Sequence, residues 1–331
     1  MTASVPLLGE LGRHELVRRV RRAILAQDVG SEASVVAAVS GGRDSMALVL
    51  ALAEASDRAL IGRVVVAHVH HHRRVEADAE LELVRSMAGR LDLPFEAAHL
   101  DGDPASTPAD LRTGRYAALI EIATGCDAAL VATGHQAEDQ LETVLLAMIR
   151  GAGPRGLVGM RARRPLCDGV DVFRPMLEVR RADAADLCEA AGVAWCDDPG
   201  NIDSATLRGM LRAEVLPVLE SIRAGAAQRC SEAAPLRQAA ADALDAACAR
   251  PVDGQWSRAS LAAMSEGLRR ASLYLAAVAV CGGSDAVSSA SVREASAAII
   301  DTRAHRRTFE LGGGVACVVE ARSVRVDCPE R

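Results

Sequence analysis

The sequence predicts an α/β fold, namely a Rossmann-like, doubly wound parallel sheet followed by a smaller, mostly helical C-terminal domain that ends in a short β element. Strand-like and helix-like runs alternate over the first 150 residues, which is typical of a parallel sheet covered by helices. A glycine-rich turn also follows the first strand directly, at the sheet edge where such folds bind ligands. The 331 residues suit two domains, which we predict as 1–221 and 222–331.

The strand predictions rest on strand-like runs of five or six residues, and each helix prediction on a longer helix-like run after a strand. The predicted strands are Val35–Val39, Val64–Val69, Pro94–His99 and Ala128–Ala132. The predicted helices are Ser45–Ala55, Val75–Leu91, Pro108–Ala123 and Ala137–Arg150. An apolar stripe in the arginine-rich N-terminal segment predicts one more helix, packed on this domain, rather than a transit peptide.

After Arg150 the pattern changes. Glycines and a proline at 151–156 predict a loop, and helical runs follow at Arg181–Ala191 and Ala205–Leu219. From Ile222 the chain is alanine-rich and predicted to be helical. The terminal β element is predicted from alternating segments around three glycines, at Thr308–Leu311, Val315–Val319 and Ser323–Val326.

Composition excludes several classes of protein. The longest apolar stretch, Leu273–Cys281, is far shorter than the ~20 residues of a membrane span, so we expect no membrane partner. Nine cysteines without a C-x-x-C pair argue against a zinc ribbon or thioredoxin-like pair and favour the cytoplasm. The net charge is −6 and the chain has no lysine, so an anionic partner must meet a local arginine patch.

The most informative motif is the turn between the first strand and helix, Ser40-Gly41-Gly42-Arg43-Asp44-Ser45. Two glycines let backbone amides approach a phosphate, and the start of the helix favours negative charge. Asp44 is placed where it could hold Mg²⁺. The alternative is an ordinary strand-to-helix turn with a capping serine or aspartate, but this composition favours phosphate binding.

A second motif, Gly134-His135-Gln136-Ala137-Glu138-Asp139-Gln140-Leu141-Glu142, opens the fourth helix after its strand. Asp139 and Glu142 are three residues apart and share a helix face, with His135 just before the first turn. Acids in a first turn are commonly dipole complements. We favour that interpretation for Glu138 and a functional one for Asp139 and Glu142.

Three further groups are less specific. Alternation puts His68 and His70 on one side of the second strand, but no cysteine or other histidine-rich segment completes a zinc site, so a solvated, partly functional loop is the default. Arginines on helices, such as Arg112 with Arg115 and Arg208 with Arg212, are usually solvated. The stretch from 150 to 181 carries eight arginines against three acids and is the candidate contact for a nucleic-acid backbone.

Taken in order, these motifs resemble a known family. Ser40–Ser45 resembles the SGGxDS loop of the N-type ATP pyrophosphatases, and the wider set resembles the tRNA(Ile)-lysidine synthetase family over residues 31–220. That set comprises His68 to Arg74, Arg112-x-x-Arg115-Tyr116, Gly134-His135-x-x-x-Asp139-Gln140-x-Glu142-Thr143, Arg150-Gly151-x-Gly153-x-x-Gly156-Leu157, Arg174-Pro175-x-Leu177, Asp198-Pro199-x-Asn201, and Leu207-Arg208 with Arg212 and Leu216-Pro217. His70, His72, Arg73 and Gly209 depart from the family's pattern.

The resemblance implies a PP-loop ATPase fold and a ligase that joins free lysine to the wobble cytidine of a tRNA(Ile) with a CAU anticodon. ATP would activate the base as an adenylate, with Mg²⁺ as cofactor, and lysine would displace AMP. The implied ATP-binding residues are Ser40, Gly41, Gly42, Arg43, Asp44, Ser45, His68 and Gly134. The implied catalytic residues are Asp44, Arg115, His135, Asp139, Glu142 and Arg208. The arginines expected to contact tRNA are Arg150, Arg155, Arg174, Arg181 and Arg212.

Two alternatives remain at this stage, and the oligomeric state stays open, a homodimer included. Another PP-loop tRNA-modifying or amide-forming ATP pyrophosphatase is the nearest one. The missing C-x-x-C disfavours a thiolation enzyme with paired cysteines, and a glutamine-fed ligase would need a further domain. A non-catalytic nucleotide-sensing module is the other, but such a module has no need of Asp44, His135, Asp139 and Glu142 together.

Overall fold

A computed structural model describes residues 8–70, 77–100, 107–196, 206–282, 286–301 and 306–328. The chain divides into two compact units, which are not sequential segments. The first unit contains Met1–Thr143 and Met160–Glu232, and the second contains Val144–Gly159 and Ala233–Arg331. The boundary after residue 221 that the sequence suggests stays a prediction.

The first unit is built on a six-stranded sheet with the order β3-β2-β1-β4-β6-β5. Its strands are β1 (Val35–Ala38), β2 (Val64–His70), β3 (Phe95–His99), β4 (Leu130–Ala132), β5 (Arg163–Cys167) and β6 (Val170–Phe173). All neighbouring pairs are parallel except β5 with β6. Val35 pairs with both Val64 and Leu130, so β1 is central and its carboxyl end lies between those of β2 and β4.

Helices cover both faces of this sheet, as the predicted doubly wound fold requires. They are α1 (Leu8–Leu11), α2 (Glu15–Ala26), α3 (Arg43–Asp57), α4 (Ala77–Arg90), α5 (Pro108–Gly125), α6 (Ala137–Ile149) and α7 (Arg181–Ala190). Apolar side chains of α2 and α3, among them Ile24 and Leu48, share one buried core with β1 and β2. Leu119 and Ala123 of α5 pack in a second core with Val36 and Val131. The predicted fold class is confirmed.

The β5–β6 hairpin was not predicted from the sequence. Arg163, Arg164 and Pro165 in β5 give no apolar signal, and this part of the stretch from 150 to 181 was interpreted only by its positive charge. The structure places β5 at the edge of the sheet, where a proline is tolerated because one side of the strand needs no partner. Part of the basic stretch is therefore sheet, and β6 extends the parallel order next to β4.

The predicted helix at 205–219 is helical over its described part but irregular. It consists of α8 (Leu207–Met210), a π-helical turn at Leu211–Val215 and α9 (Leu216–Ile222), and α10 (Ala226–Glu232) follows. The amide of Leu216 donates to the carbonyl of Leu211, five residues back. Pro217 gives a physical reason for the wide turn, because a proline ring clashes with the carbonyl four residues earlier in a regular α-helix.

The second unit contains α11 (Ala234–Ala247), α12 (Arg258–Ala263), α13 (Glu266–Cys281) and α14 (Ser289–Ile300). Its antiparallel sheet has the order β7-β10-β9-β8, formed by β7 (Gln255–Ser257), β8 (Arg307–Gly312), β9 (Val315–Val319) and β10 (Ser323–Asp327). The predicted terminal β element is confirmed, and β7 is an addition of three residues with Trp256 buried. Among the helices described, none is both long and apolar enough to cross a bilayer.

Candidate active site

The turn after β1 forms a tight loop at the start of α3. Gly41 has a φ of +88°, which favours glycine, and a Cβ there would lie 3.4 Å from the Cβ of Glu80. The hydroxyl of Ser45 lies 2.8 Å from the carbonyl of Gly42, to which it donates, and it accepts from the amide of Ser40. These contacts hold the first turn of α3 toward the sheet edge. The amide of Ser45 donates to the carbonyl of Gly42, whereas the amides before it in this turn have no carbonyl four residues earlier within the helix. The loop thus has the geometry of an anion cradle.

A cavity of about 420 Å³ opens beside this loop. Its lining comes from the carboxyl ends of β1, β2 and β4 and from one face of α5. Among the lining residues are Ser40, Gly42, Arg43, Asp44, Ser45, His68, Arg115, Tyr116, Gly134 and His135. Nδ1 of buried His68 lies 2.8 Å from the carbonyl oxygen of Val39. The structure therefore brings most of the predicted nucleotide-binding residues to one cavity.

Gly134 permits the closest approach in this region. A Cβ on this residue would lie 3.0 Å from the carbonyl oxygen of Asp44. The segment after β4 therefore packs directly against the first turn of α3. This contact is what brings the second predicted motif next to the first one.

His135 follows Gly134 and is half-buried. Its Nδ1 lies 2.8 Å from the hydroxyl of Thr133. Burial lowers the pKa of His135 to about 4, and the nearby Arg174, Arg112 and Arg208 act in the same direction against Asp139. The imidazole is therefore neutral at pH 7. If the hydroxyl of Thr133 donates to Nδ1, the proton sits on Nε2 and can be donated to an oxygen of a ligand.

Asp139 and Glu142 lie on one face of α6, as predicted, and both are buried. Glu142 is fully buried, and its two oxygens accept hydrogen bonds from Arg208 and Arg212. Nε of Arg208 lies 2.7 Å from Oε2, and Nε and Nη2 of Arg212 lie 2.8 and 3.0 Å from Oε1 and Oε2. We refer to these two arginines on this carboxylate as the Glu142 clamp. Oδ1 of Asp139 also accepts from Arg212, at 3.2 Å.

Asp44 is linked to this cluster through Arg181. Nε of Arg181 lies 3.9 Å from Oδ2 of Asp44, and its Nη2 lies 3.6 Å from Oδ1 of Asp139. Burial raises the pKa of Asp44, while Arg181 and Arg43 lower it. A buried carboxyl of this kind gains from a cation close by. The loop acid and the α6 acids thus belong to one charged network.

Glu138 has a positioning role that the sequence did not suggest. Both of its carboxylate oxygens lie 3.0 Å from the amide of Arg181, the first residue of α7. It therefore fixes the start of α7, whose first side chain reaches Asp44 and Asp139. A carboxylate early in one helix that binds the start of another cannot be recognised from spacing along the chain.

The five arginines expected to contact tRNA have different environments. Arg181 and Arg212 face the carboxylates described above. Arg174 is 3% exposed and donates to the carbonyl of Arg161, a placement that departs from the predicted surface role. Arg155 and Arg150 both belong to the second unit. Arg155 forms an ion pair with Asp245, and Arg150 is exposed.

Of the remaining motifs, the pair on α5 contributes Arg115 to the cavity and places Arg112 over the ring of Tyr116, 5.5 Å from its centroid. His70 is buried at the end of β2, with Nε2 3.2 Å from Oδ1 of Asp78. The rest of the histidine motif, 71–74, and the Asp198-Pro199-x-Asn201 motif lie outside the described residues.

The fold and the loop define the class of protein. A parallel sheet with a glycine-rich anion cradle after its central strand is the PP-loop nucleotide-binding architecture, and residues 14–219 match the family model described as PP-loop domain. This membership implies the use of ATP. A solved structure of U34-tRNA thiolase NcsA from Methanococcus maripaludis superposes with a TM-score of 0.57 at 16% identity, covering 68% of this chain and 78% of that one. That likeness shows the fold alone.

Closer relatives define the family. The tRNA(Ile)-lysidine synthase of Salinispora tropica is 38% identical over 265 residues, 76% of this chain and 78% of the relative. The tRNA(Ile)-lysidine synthase of Methylobacterium nodulans is 39% identical over 249 residues, 73% and 71% of the two chains. The chain belongs to the tRNA(Ile)-lysidine synthase family, and the resemblance seen in its motifs is confirmed.

Proposed function

We propose that this protein ligates free lysine to C2 of the wobble cytidine of a tRNA(Ile) with a CAU anticodon. The 2-carbonyl oxygen of cytidine attacks the α-phosphate of ATP, pyrophosphate leaves, and the base is adenylated. The neutral amine of lysine then attacks C2 and AMP departs with the oxygen. The observation that carries the proposal is the cavity beside the loop after β1. Arg181 links the acid of that loop, Asp44, to Asp139 of α6, in a chain of this family.

The loop supplies the first half-reaction. Its backbone amides and the hydroxyls of Ser40 and Ser45 hold the pyrophosphate, and His68 and Gly134 line the nucleotide cavity beside it. His135, neutral at pH 7, donates a hydrogen bond to the attacked phosphate, and Arg208 adds charge. Arg115 assists at the phosphates or at the RNA. The reaction is expected in the cytoplasm, where ATP, lysine and tRNA are present.

The residues around the loop fit Mg²⁺. The part of the chain described contains no group of three or more His, Cys, Asp or Glu side chains suited to a metal. Magnesium bound with a nucleotide typically uses one or two carboxylates together with phosphates and water, and the partly buried Asp44 at the cavity matches that pattern. Asp44 would hold the ion, which supplies neutralisation of the charge on the departing pyrophosphate.

Asp139 and Glu142 serve the second half-reaction. Paired carboxylates attract an ammonium group and can take its proton, which is needed because only the neutral amine is a nucleophile. The tRNA backbone is met by arginines of the stretch from 150 to 181, among which Arg150 and Arg155 are exposed. This assignment predicts that tRNA binding weakens steeply with salt despite the net charge of −6.

The decisive assay measures the steady-state formation of AMP and pyrophosphate, which requires both lysine and tRNA(Ile) for repeated turnover. We expect Asp44→Ala to lower turnover by about 10²–10³-fold, because the charge on the leaving group is no longer neutralised. Asp57→Ala, at the exposed far end of the same helix, is the matched control and should leave turnover unchanged. Wild-type AMP formation without lysine or without tRNA would contradict the proposed function, and full turnover in Asp44→Ala would remove the loop from the mechanism.

A further inference from the structure

The carboxylate proposed to receive lysine already has partners. Three hydrogen bonds from Arg208 and Arg212 occupy both oxygens of Glu142. Nη2 of Arg208 also lies 3.6 Å from Asp139. Three of the about four acceptor positions of this carboxylate are taken, and Glu142 has no exposed surface, so a lysine ammonium reaches it only when a guanidinium group moves. The Glu142 clamp and an amine at this carboxylate therefore compete.

The clamp also has an electrostatic reason to exist. Glu142 is fully buried, and a buried carboxylate without a partner is strongly destabilising. Before lysine arrives, some cation must neutralise this group. Arg208 and Arg212 do so in the structure, and both remain partly exposed, with side-chain exposures of 41% and 24%.

The segment that carries both arginines is weakly anchored. Over α8, the π turn and α9, the buried residues are Leu211 and Leu216. The same segment exposes large apolar side chains, among them Leu207, Met210 and Val218. A π turn is rare and often marks a functional site, and a segment with few buried apolar contacts moves at low cost. The clamp can therefore open without unfolding the sheet.

The network points to what would open it. Arg181 connects Asp139 to Asp44, which stands in the phosphate-binding loop. A bound triphosphate would place several negative charges next to Asp44, where they attract Arg181 and Arg208 more strongly than a single carboxylate does. Removing Arg208 frees one acceptor position on Oε2 of Glu142, which still accepts from Arg212, and a second cation can use that position.

We propose that Arg208 and Arg212 close the amine site until nucleotide binds, so that ATP must bind before lysine. Arg212 is then a positioning residue of the second half-reaction. This inference rests on the proposed function, because it takes Glu142 as the site for lysine. By linkage, lysine must also raise the affinity for nucleotide by the same factor by which nucleotide raises the affinity for lysine.

The test measures binding of labelled L-lysine by equilibrium dialysis, with and without Mg²⁺ and α,β-methylene-ATP, in the absence of tRNA. For the wild-type protein we expect the dissociation constant of lysine to fall at least about tenfold when the analogue is saturating. In Arg212→Ala, nucleotide-free binding should strengthen and the ratio should fall below about threefold. Arg212→Lys should restore part of the ratio, because an ammonium group can still pair with Glu142.

Arg58→Ala is the control, because Arg58 pairs with another fully buried glutamate, Glu54, on the far part of α3. It should keep the wild-type ratio. An equal lysine affinity with and without the analogue in the wild-type protein would overturn the inference, as would a full ratio in Arg212→Ala. A protein that makes lysidine but shows no coupling would refute this inference alone. One that makes none from ATP, lysine and tRNA would refute the proposed function and the inference together.

Discussion

Two glutamates of the first unit, Glu54 and Glu142, are fully buried, and each is held by two arginines. Glu54 accepts from Arg21 of α2 and from Arg58, the residue directly after α3, and we refer to this arrangement as the Glu54 clamp. The exposures of the four arginine side chains are also similar, 21% and 45% at Glu54 against 41% and 24% at Glu142. By burial and pairing alone, the two clamps cannot be told apart.

The two clamps differ in how firmly the segments that carry their arginines are packed and in which charged groups lie nearby. The helix α2, which supplies Arg21, buries Leu16, Val17, Val20 and Ile24, and Arg21 also donates to the carbonyl of Gly12. Glu54 lies ten residues beyond Asp44 on α3, about 15 Å along the helix axis. The Glu142 clamp instead belongs to a weakly buried segment, and its arginines share Asp139. The comparison teaches that a buried ion pair indicates function only when its partners can leave and another charged group lies within reach.

The largest expected effect comes from neutralising each glutamate in turn. We expect Glu142→Gln to lower lysine-dependent turnover by about 10²-fold or more, because the amine loses its carboxylate. Pyrophosphate release in the adenylation step should fall much less. The measurement is steady-state AMP formation against lysine concentration, alongside a single-turnover assay of pyrophosphate release.

Glu54→Gln is the matched variant, with the same change in charge at the same burial. It should lower the free energy of unfolding by about 3 kcal/mol, because two arginines lose a buried partner, and should leave turnover per folded molecule unchanged. Urea unfolding and active-site titration separate the two quantities. A similar loss of turnover in both variants would show that the two clamps do not differ in function. An equal loss of adenylation and of lysine transfer in Glu142→Gln would contradict the assignment of Glu142 to the lysine site.

A lower pH is expected to affect stability at the Glu142 clamp through His135, whose charged neighbours include Asp139 and Arg208. Burial lowers the pKa of His135 to about 4. The ordinary pKa of histidine is 6.5. Between pH 4 and pH 6.5, His135 therefore binds a proton in the unfolded chain but not in the folded one. Stability from this residue is therefore complete above pH 6.5 and declines as pH falls toward 4. The His135→Asn variant, which cannot take up that proton, should show a flatter decline in urea unfolding over this range. Identical slopes in the two proteins would mean that the site does not resist protonation of His135.

The sequence predicted those parts of the site that are local in the chain. The loop at Ser40–Ser45 and the acids at 139 and 142 each follow a predicted strand, and the order of parallel strands then brings them together. The predicted bounds of β1 to β4 likewise agree with the observed ones to within about two residues. A glycine turn or a helical spacing is a property of adjacent residues, so it can be seen without a structure.

The parts that the sequence missed depend on distant residues. Arg208 and Arg212 are separated from Glu142 by 66 and 70 residues, so no spacing rule shows that they clamp it. Arg174 was expected to contact tRNA as part of the basic stretch, but it is buried directly after β6. The β5–β6 hairpin was not predicted because β5 contains two arginines and a proline. Glu138 was assigned to the dipole of its own helix and does lie in the first turn of α6, but its contact with the amide of the first residue of α7 could not be foreseen.

The smallest expected effects come from one glycine near each clamp. In Gly134→Ala, the new Cβ would lie 3.0 Å from the backbone carbonyl oxygen of Asp44, so the loop after β1 must shift. We expect a loss of turnover of about tenfold, because a shift well below 1 Å at a reacting group is already costly. Stability should change little, since the contact can relax by a few tenths of an ångström. The measurement is lysine-dependent AMP formation in the folded fraction.

Gly12→Ala provides the corresponding change at the Glu54 clamp. Its Cβ would lie 2.5 Å from Nη2 of Arg21 and 2.6 Å from Oε1 of Glu54, which are the ends of side chains rather than backbone. These ends can turn aside, so the cost is a weakened clamp of about 1 kcal/mol in the free energy of unfolding, with turnover unchanged. If Gly12→Ala instead reduced turnover as much as Gly134→Ala, the Glu54 clamp would be coupled to the nucleotide cavity through α3. The distinction between a fixed clamp and one that opens would then lose its structural basis.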